Sequence, residues 1–290
     1  MFEGTMTALV TPFKDGRVDE RALTELVEAQ IAGGIDGLVP CGTTGEAVTL
    51  SAAEHAEVIR ITVRAAKKRV PVVAGAGSNS TARAIEMSHA AREAGADGLL
   101  HVTPYYNKPS QEGCFRHFEA IVHAQSLPIV LYNVPGRTNV DLLVETLVRL
   151  AEFPSIVGIK EATGSVARSL AIRARLGERL TIWCGEDAIN YPLYCVGAKG
   201  CISVVGNVAP ALIAACWDAH VAGDAKAALS AHEQSIPLAD ALFRDTNPIP
   251  AKAALALLGR MTPEIRLPLY PLAGAELERL AATLKQLGIS

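Results

Sequence analysis

The chain has 290 residues, half of them hydrophobic, and a formal net charge of −3 at pH 7. That length can bury a large core and suits one barrel better than two separate domains, while the mild acidity and the lack of a basic cluster argue against a nucleic-acid partner. No apolar run reaches the length of a membrane span, and the opening Met1-Phe2-Glu3-Gly4 lacks the basic and apolar regions of a signal peptide, so the expected compartment is the cytoplasm.

Eight short apolar runs follow one another along the chain. They are 7–10, 37–39, 70–74, 98–102, 128–132, 156–160, 181–184 and 200–204. Nearly continuous apolarity is the pattern of parallel strands covered on both faces. Helical patterns lie between most of them, at 19–32, 51–66, 80–94, 110–124, 141–150 and 166–176. Several open on Ser or Asp, whose side chains accept from the free N–H groups of a first turn. A short phrase recurs before strands: Gly34-Ile35-Asp36-Gly37, Gly95-Ala96-Asp97-Gly98 and Gly197-Ala198-Lys199-Gly200. Its first glycine suits a left-handed helix cap, so the phrase reads as a helix-to-strand joint. Eight such units predict an α/β fold of the (β/α)₈ barrel type over residues 1–224. A doubly wound open sheet is the alternative, but the first strand is followed by Thr11-Pro12-Phe13 and not by a glycine-rich phosphate turn. Residues 225–290 read as a C-terminal helical region, with helical patterns at 225–243, 249–258 and 273–287 separated by prolines.

In a barrel of this kind the active site lies at the C-terminal ends of the strands. The sixth strand ends on Lys160, preceded only by apolar residues and glycine. An amine there is desolvated, desolvation favours its neutral form, and a neutral lysine attacks ketones to form a Schiff base. The bland alternative is a surface lysine capping a strand. The fifth strand ends on Tyr132, so phenol and amine close neighbouring strands, and a phenol beside an amine can move protons during imine formation. The second strand is followed by Gly42-Thr43-Thr44-Gly45-Glu46, whose hydroxyls and N–H groups can hold a carboxylate, or which is simply a loop with a helix-capping threonine. Tyr105 and Tyr106 follow the fourth strand and enter either a site or a subunit contact. Arg137 follows Tyr132 on a proline- and glycine-shaped loop and can grip a carboxylate with two N–H groups, or form a surface ion pair. Glu186 and Asp187 follow the seventh strand and are either catalytic carboxylates or, the favoured reading, solvated or helix-capping ones.

Other motifs point to no cofactor. Gly75-Ala76-Gly77-Ser78-Asn79-Ser80 lacks the last glycine of a dinucleotide fingerprint. The seven histidines have no metal-ligand spacing: His89 and His117 read as helix-surface residues and His101 as core. The six cysteines are scattered, with no Cys-x-x-Cys pair, and Cys41 reads as a small filler at a strand end. Neither a metal nor an organic cofactor is expected.

Together, 42–46, 132–138 and 158–164 (Gly-Ile-Lys-Glu-Ala-Thr-Gly) resemble the dihydrodipicolinate synthase family of pyruvate-dependent class I aldolases, and the resemblance runs from the first strand to the C-terminal helices. It implies condensation of pyruvate with L-aspartate 4-semialdehyde in lysine and diaminopimelate biosynthesis. It implies that Lys160 forms the imine and that Tyr132 passes protons, linked through Thr43 to a Tyr106 supplied by a neighbouring subunit. Thr44 would then bind the carboxylate of pyruvate and Arg137 that of the semialdehyde, with Gly185 and Ile202 lining the pocket through their backbones. The family is usually a homotetramer, a dimer of dimers. Within the group, the Pro135-Gly136-Arg137 segment favours the synthase over sialic acid lyase, whose corresponding loop lacks this arginine; the alternative is a sibling Schiff-base lyase acting on a longer 2-keto acid, of the N-acetylneuraminate or keto-deoxygluconate type. Of the family's lysine-feedback site, His55, Asn79 and Tyr105 match, but Arg83 and Ala52 stand where inhibited members generally carry glutamate and often histidine. A cationic effector is repelled by Arg83, so weak or absent inhibition by lysine is expected.

Overall fold

The structure, a computed structural model, describes residues 2–289. Eight parallel strands form its centre: β1 (Gly4–Ala8), β2 (Gly37–Val39), β3 (Val73–Gly75), β4 (Gly98–Val102), β5 (Ile129–Asn133), β6 (Ile156–Glu161), β7 (Thr181–Cys184) and β8 (Gly200–Ser203). Their spatial order is β2-β1-β8-β7-β6-β5-β4-β3, and a parallel bridge between Leu38 and Val72 brings the two ends together, so the sheet is a nearly closed barrel. The helices of its outer ring are α1 (Glu20–Ala32), α2 (Ala52–Ala66), α3 (Thr81–Glu93), α4 (Gln111–Ala124), the single turn α5 (Pro135–Thr138), α6 (Val144–Leu150), α7 (Val166–Leu176), α8 (Asn190–Cys195) and α9 (Pro210–Val221). Beyond them come α10 (Ala225–Leu242), α11 (Ile249–Leu257) and α12 (Gly274–Gln286). None of the described helices is long and apolar enough to cross a membrane.

Four of the five predicted caps operate: Asp19, Ser51, Ser80 and Ser110 each accept from an N–H of the first turn of the helix that follows, Ser51 with Glu54 forms a reciprocal capping box, and Ser165, which the sequence reading did not single out, caps α7 in the same way. The recurrent joint works as expected and has a second function. Gly34, Gly95 and Gly197 take φ of 84°, 92° and 97°. In two of the three joints the aspartate then fastens a neighbouring strand: Asp36 accepts from Thr5 N at 2.7 Å and Asp97 from Val72 N at 2.8 Å.

Side chains alternate across the wall of the barrel, as strand geometry requires. Met6, Val39, Val73, Leu100, Val130, Trp183 and Ile202 fill the interior, while Leu99, Leu131, Ile159 and Ile182 face the helices. Gly158 makes room for Trp183, whose ring would lie 2.3 Å from any Cβ placed there.

Several expectations differ from the structure: the first strand is Gly4–Ala8 and not 7–10, and Asp187 is buried and not solvated. A short antiparallel hairpin, Phe13–Lys14 with Arg17–Val18, intervenes between β1 and α1. Asp141 does not cap α6, because its carboxylate is engaged by Asn133 Nδ2 at 2.9 Å and faces Arg168 at 3.5 Å. His117 is buried, with Nδ1 and Thr81 Oγ1 2.9 Å apart, since α4 turns that face toward α3 and β4.

Candidate active site

Tyr132 and Lys160 are register partners on adjacent strands β5 and β6, so both side chains enter the barrel interior at the same height. The Lys160 amine lies 4.6 Å from the centre of the Tyr132 ring. Lys160 is 5% exposed and makes no salt bridge or hydrogen bond among the described residues. The next residue on each strand points the other way and anchors it. Glu161, buried outside the wall, accepts from Arg168 Nε at 2.8 Å and from Thr163 N at 3.0 Å. Asn133 donates to Asp141 and accepts from Leu142 N at 3.0 Å. The amine and phenol are thus held by polar locks directly behind them.

Gly185 sits against this pair. A Cβ at that position would lie 3.0 Å from Lys160 Cε and 2.7 Å from Ala162 Cβ, so any side chain would strike the lysine. Its N–H is taken by Glu161 O at 2.8 Å. The carboxylates that follow separate in role. Asp187, buried, accepts from Val204 N at 2.8 Å, Val205 N at 3.0 Å and Asn190 Nδ2 at 3.1 Å, and so ties the turn after β8 to the end of β7. Glu186 is half-buried; desolvation pushes its carboxyl above the usual range, assisted by the charge of Asp187 and opposed by Lys160.

A cavity of about 260 Å³ opens at the C-terminal ends of the strands, its walls including Thr43, Tyr105, Tyr132, Arg137 and Thr138. The turn at 42–47 closes on itself through Gly45 N→Gly42 O, Glu46 N→Thr43 O and Ala47 N→Gly42 O. The N–H groups of Thr43 and Thr44 donate to no acceptor among the described residues, which leaves two adjacent donors of the kind that hold an anion. Thr44 is buried just behind the wall, where its Oγ1 accepts from Asn247 Nδ2 at 2.9 Å and keeps its own O–H to donate. Arg137 donates through Nη2 to Asn247 O at 2.9 Å, so one residue of the C-terminal region touches both groups expected to bind carboxylates.

The remaining expected residues lie apart. Ile202 is buried in the barrel interior beneath the cavity. Tyr106 is 88% exposed, at φ 71°, and does not reach the cavity of its own chain. Cys41 is buried, and burial pushes its thiol far up, which fits a filler and not a nucleophile. His55 lies under the turn with Nε2 and Gly75 O 2.7 Å apart; desolvation lowers its pKa, the Gly75 contact opposes this, and the charge of Arg83 lowers it further. Asn79 accepts at its carbonyl from Asn107 Nδ2, whereas Tyr105 lines the main cavity.

Sequence reasoning missed Asn247, Lys252 and the fixing role of Glu46. The Lys252 amine donates to Glu46 Oε1 at 2.5 Å and to Thr11 O at 2.9 Å, with both charged side chains buried. The one available signal was a lysine within the otherwise apolar run of α11.

Parallel strands and alternating helices define a (β/α)₈-barrel enzyme, a class whose sites lie at the C-terminal rim where this cavity opens. More particularly, the chain belongs to the Dihydrodipicolinate synthetase family, which it matches over residues 1–287. It is 52% identical over 286 residues to the 4-hydroxy-tetrahydrodipicolinate synthase of Geobacter metallireducens, covering 99% of each chain. Among solved structures it is similar to the chloride-inhibited dihydrodipicolinate synthase of Acinetobacter baumannii complexed with pyruvate, with 47% identity, a TM-score of 0.98 and 100% of each chain covered. It is also similar to dihydrodipicolinate synthase from Aquifex aeolicus, with 41% identity, a TM-score of 0.97 and 99% of each chain covered.

Proposed function

We propose that this chain condenses pyruvate with L-aspartate 4-semialdehyde to 4-hydroxy-tetrahydrodipicolinate, in lysine and diaminopimelate biosynthesis, with Lys160 as the nucleophile. The observation that carries the assignment of Lys160 is its placement: a buried amine with no ion-pair or hydrogen-bond partner among the described residues, held beside Tyr132, which lines the mouth cavity.

The Lys160 nitrogen adds to the ketone carbon of pyruvate, and loss of water gives an iminium. Tyr132, one strand away, gives and takes the protons of these steps, relayed through Thr43. The positive nitrogen then draws electrons from the methyl C–H bond, and loss of that proton leaves an enamine. The enamine carbon attacks the aldehyde carbon of the second substrate. The amine of the adduct finally displaces Lys160 by transimination, closing the ring and freeing the enzyme. Thr44, with the free N–H groups of its turn, binds the pyruvate carboxylate, and Arg137 at the wall binds that of the semialdehyde. No metal or organic cofactor enters this scheme. The exposure of Tyr106 fits a side chain that completes the site of a neighbouring copy, so the working unit is a dimer or a pair of dimers.

Comparing turnover of L-aspartate 4-semialdehyde plus pyruvate with cleavage of sugar-derived 2-keto acids tests the substrate assignment. The condensation should dominate by orders of magnitude, and efficient cleavage of N-acetylneuraminate or keto-deoxygluconate would overturn it. In the same assay free lysine should inhibit weakly or not at all, because Arg83 opposes a cationic effector; strong inhibition at low lysine would refute that reading.

A further inference from the structure

The turn that offers Thr43 and Thr44 is not fixed by its own loop alone. Cys41 and Glu46, at its two ends, take φ of 56° and 55°, a left-handed conformation that side chains other than glycine adopt reluctantly. Something outside the turn must hold it there. Three contacts do so, besides the Asn247 bond to Thr44. Thr11 Oγ1 donates to Gly45 O at 2.7 Å. Glu46 Oε1 receives the Lys252 amine at 2.5 Å, and Glu46 Oε2 receives Arg266 N–H at 3.0 Å. Lys252 itself is fully engaged, with Thr11 O at 2.9 Å and the Phe13 ring centre 4.3 Å away. Arg266 stacks over the same ring at 4.2 Å and reaches Thr49 O and the Glu54 carboxylate. The carboxylate of Glu46 is therefore gripped on both oxygens by residues more than 200 positions later in the chain.

We infer that Lys252 and Glu46 are positioning residues for the pyruvate half-reaction: the buried pair holds the 42–46 turn in the shape that presents the Thr43 and Thr44 donors. This deepens, and rests on, the proposed roles of Lys160 and of the turn. A buried ion pair is weak evidence for stability, since replacing both partners by neutral residues of similar size is often harmless to folding. What the pair supplies here is a fixed backbone at one carboxylate site. The other proposed carboxylate group, Arg137, is held by Asn247 O and makes no contact with Glu46 or Lys252 among the described residues, although Asn247 Nδ2 also reaches Thr44.

The separation gives the test. The Glu46→Gln/Lys252→Met double variant removes both charges together. It should melt near the wild-type temperature, raise KM for pyruvate about tenfold or more, and slow borohydride trapping of the pyruvate imine at low pyruvate by the same factor. KM for the semialdehyde should stay within about twofold, a split that general loosening of the fold would not produce. Thr11→Val, which deletes only the neutral bond to Gly45 O, should show the same split at smaller size, and it decides the matter if the double variant does not fold. Unchanged pyruvate KM and trapping in the folded variants overturns the inference, as does an equal decline for both substrates that tracks lost thermal stability. Wild-type protein is the control for the underlying reading: if it traps no pyruvate on Lys160, the proposed function fails and not merely this refinement.

Discussion

Lys160 and Lys252 are both buried lysines next to an aromatic ring, 4.6 Å from the Tyr132 ring centre and 4.3 Å from that of Phe13. They differ in what else they touch. Lys252 donates to a carboxylate and a carbonyl, whereas Lys160 has no ion-pair or hydrogen-bond partner among the described residues. Burial lowers the pKa of Lys252, and Glu46 opposes that effect. The lesson is that burial alone does not make a lysine reactive. A buried amine whose donors are all used is a structural tie; one left without partners is free for chemistry.

The comparison can be broken most sharply by removing each amine. Lys160→Ala should reduce turnover by on the order of 10⁴-fold or more while leaving thermal stability close to wild type, because no tie is lost. A variant retaining even a few per cent of activity would break the contrast. Lys252→Met should do the reverse in stability, costing about 3–5 kcal/mol in denaturant unfolding because Glu46 is left as an uncompensated buried charge. If the loss is no larger than for Lys160→Met, the two lysines are equivalent and the distinction fails.

A smaller effect sharpens the same point for histidine. His101, buried under α3, has its pKa lowered to about 3, first by desolvation and then by the charge of His117; desolvation lowers His117 to about 4. Both folded values lie below the unfolded value near 6.5. At pH above 6.5 both states are neutral and nothing is lost. Below it the unfolded chain binds protons that the folded chain refuses, so stability should fall as pH drops from 6.5 toward 4, by up to about 1.4 kcal/mol per pH unit for each group. Urea unfolding at stepped pH measures this, and His117→Gln should flatten the slope. A flat wild-type profile would show that these buried rings are not held neutral.

Much of this was legible in the sequence. The strands were visible because covered parallel strands are apolar throughout, and most helix starts because Asp19, Ser51, Ser80 and Ser110 announce them. Tyr132 and Lys160 could be paired because each ends one of two consecutive strands, and the register places them side by side. Asp141 misled because it resembles a cap while its carboxylate is committed to Asn133. Lys252, Asn247 and the fixing role of Glu46 were hidden for a different reason. Their bonds to the turn span 203 and 206 residues, and no local pattern encodes a contact at that separation.

The most direct test is borohydride reduction of the protein in the presence of pyruvate, followed by peptide mapping of every lysine. The reduced adduct should sit on the peptide containing Lys160, with Lys252 unmodified. No adduct, or an adduct on any other lysine, would contradict the account.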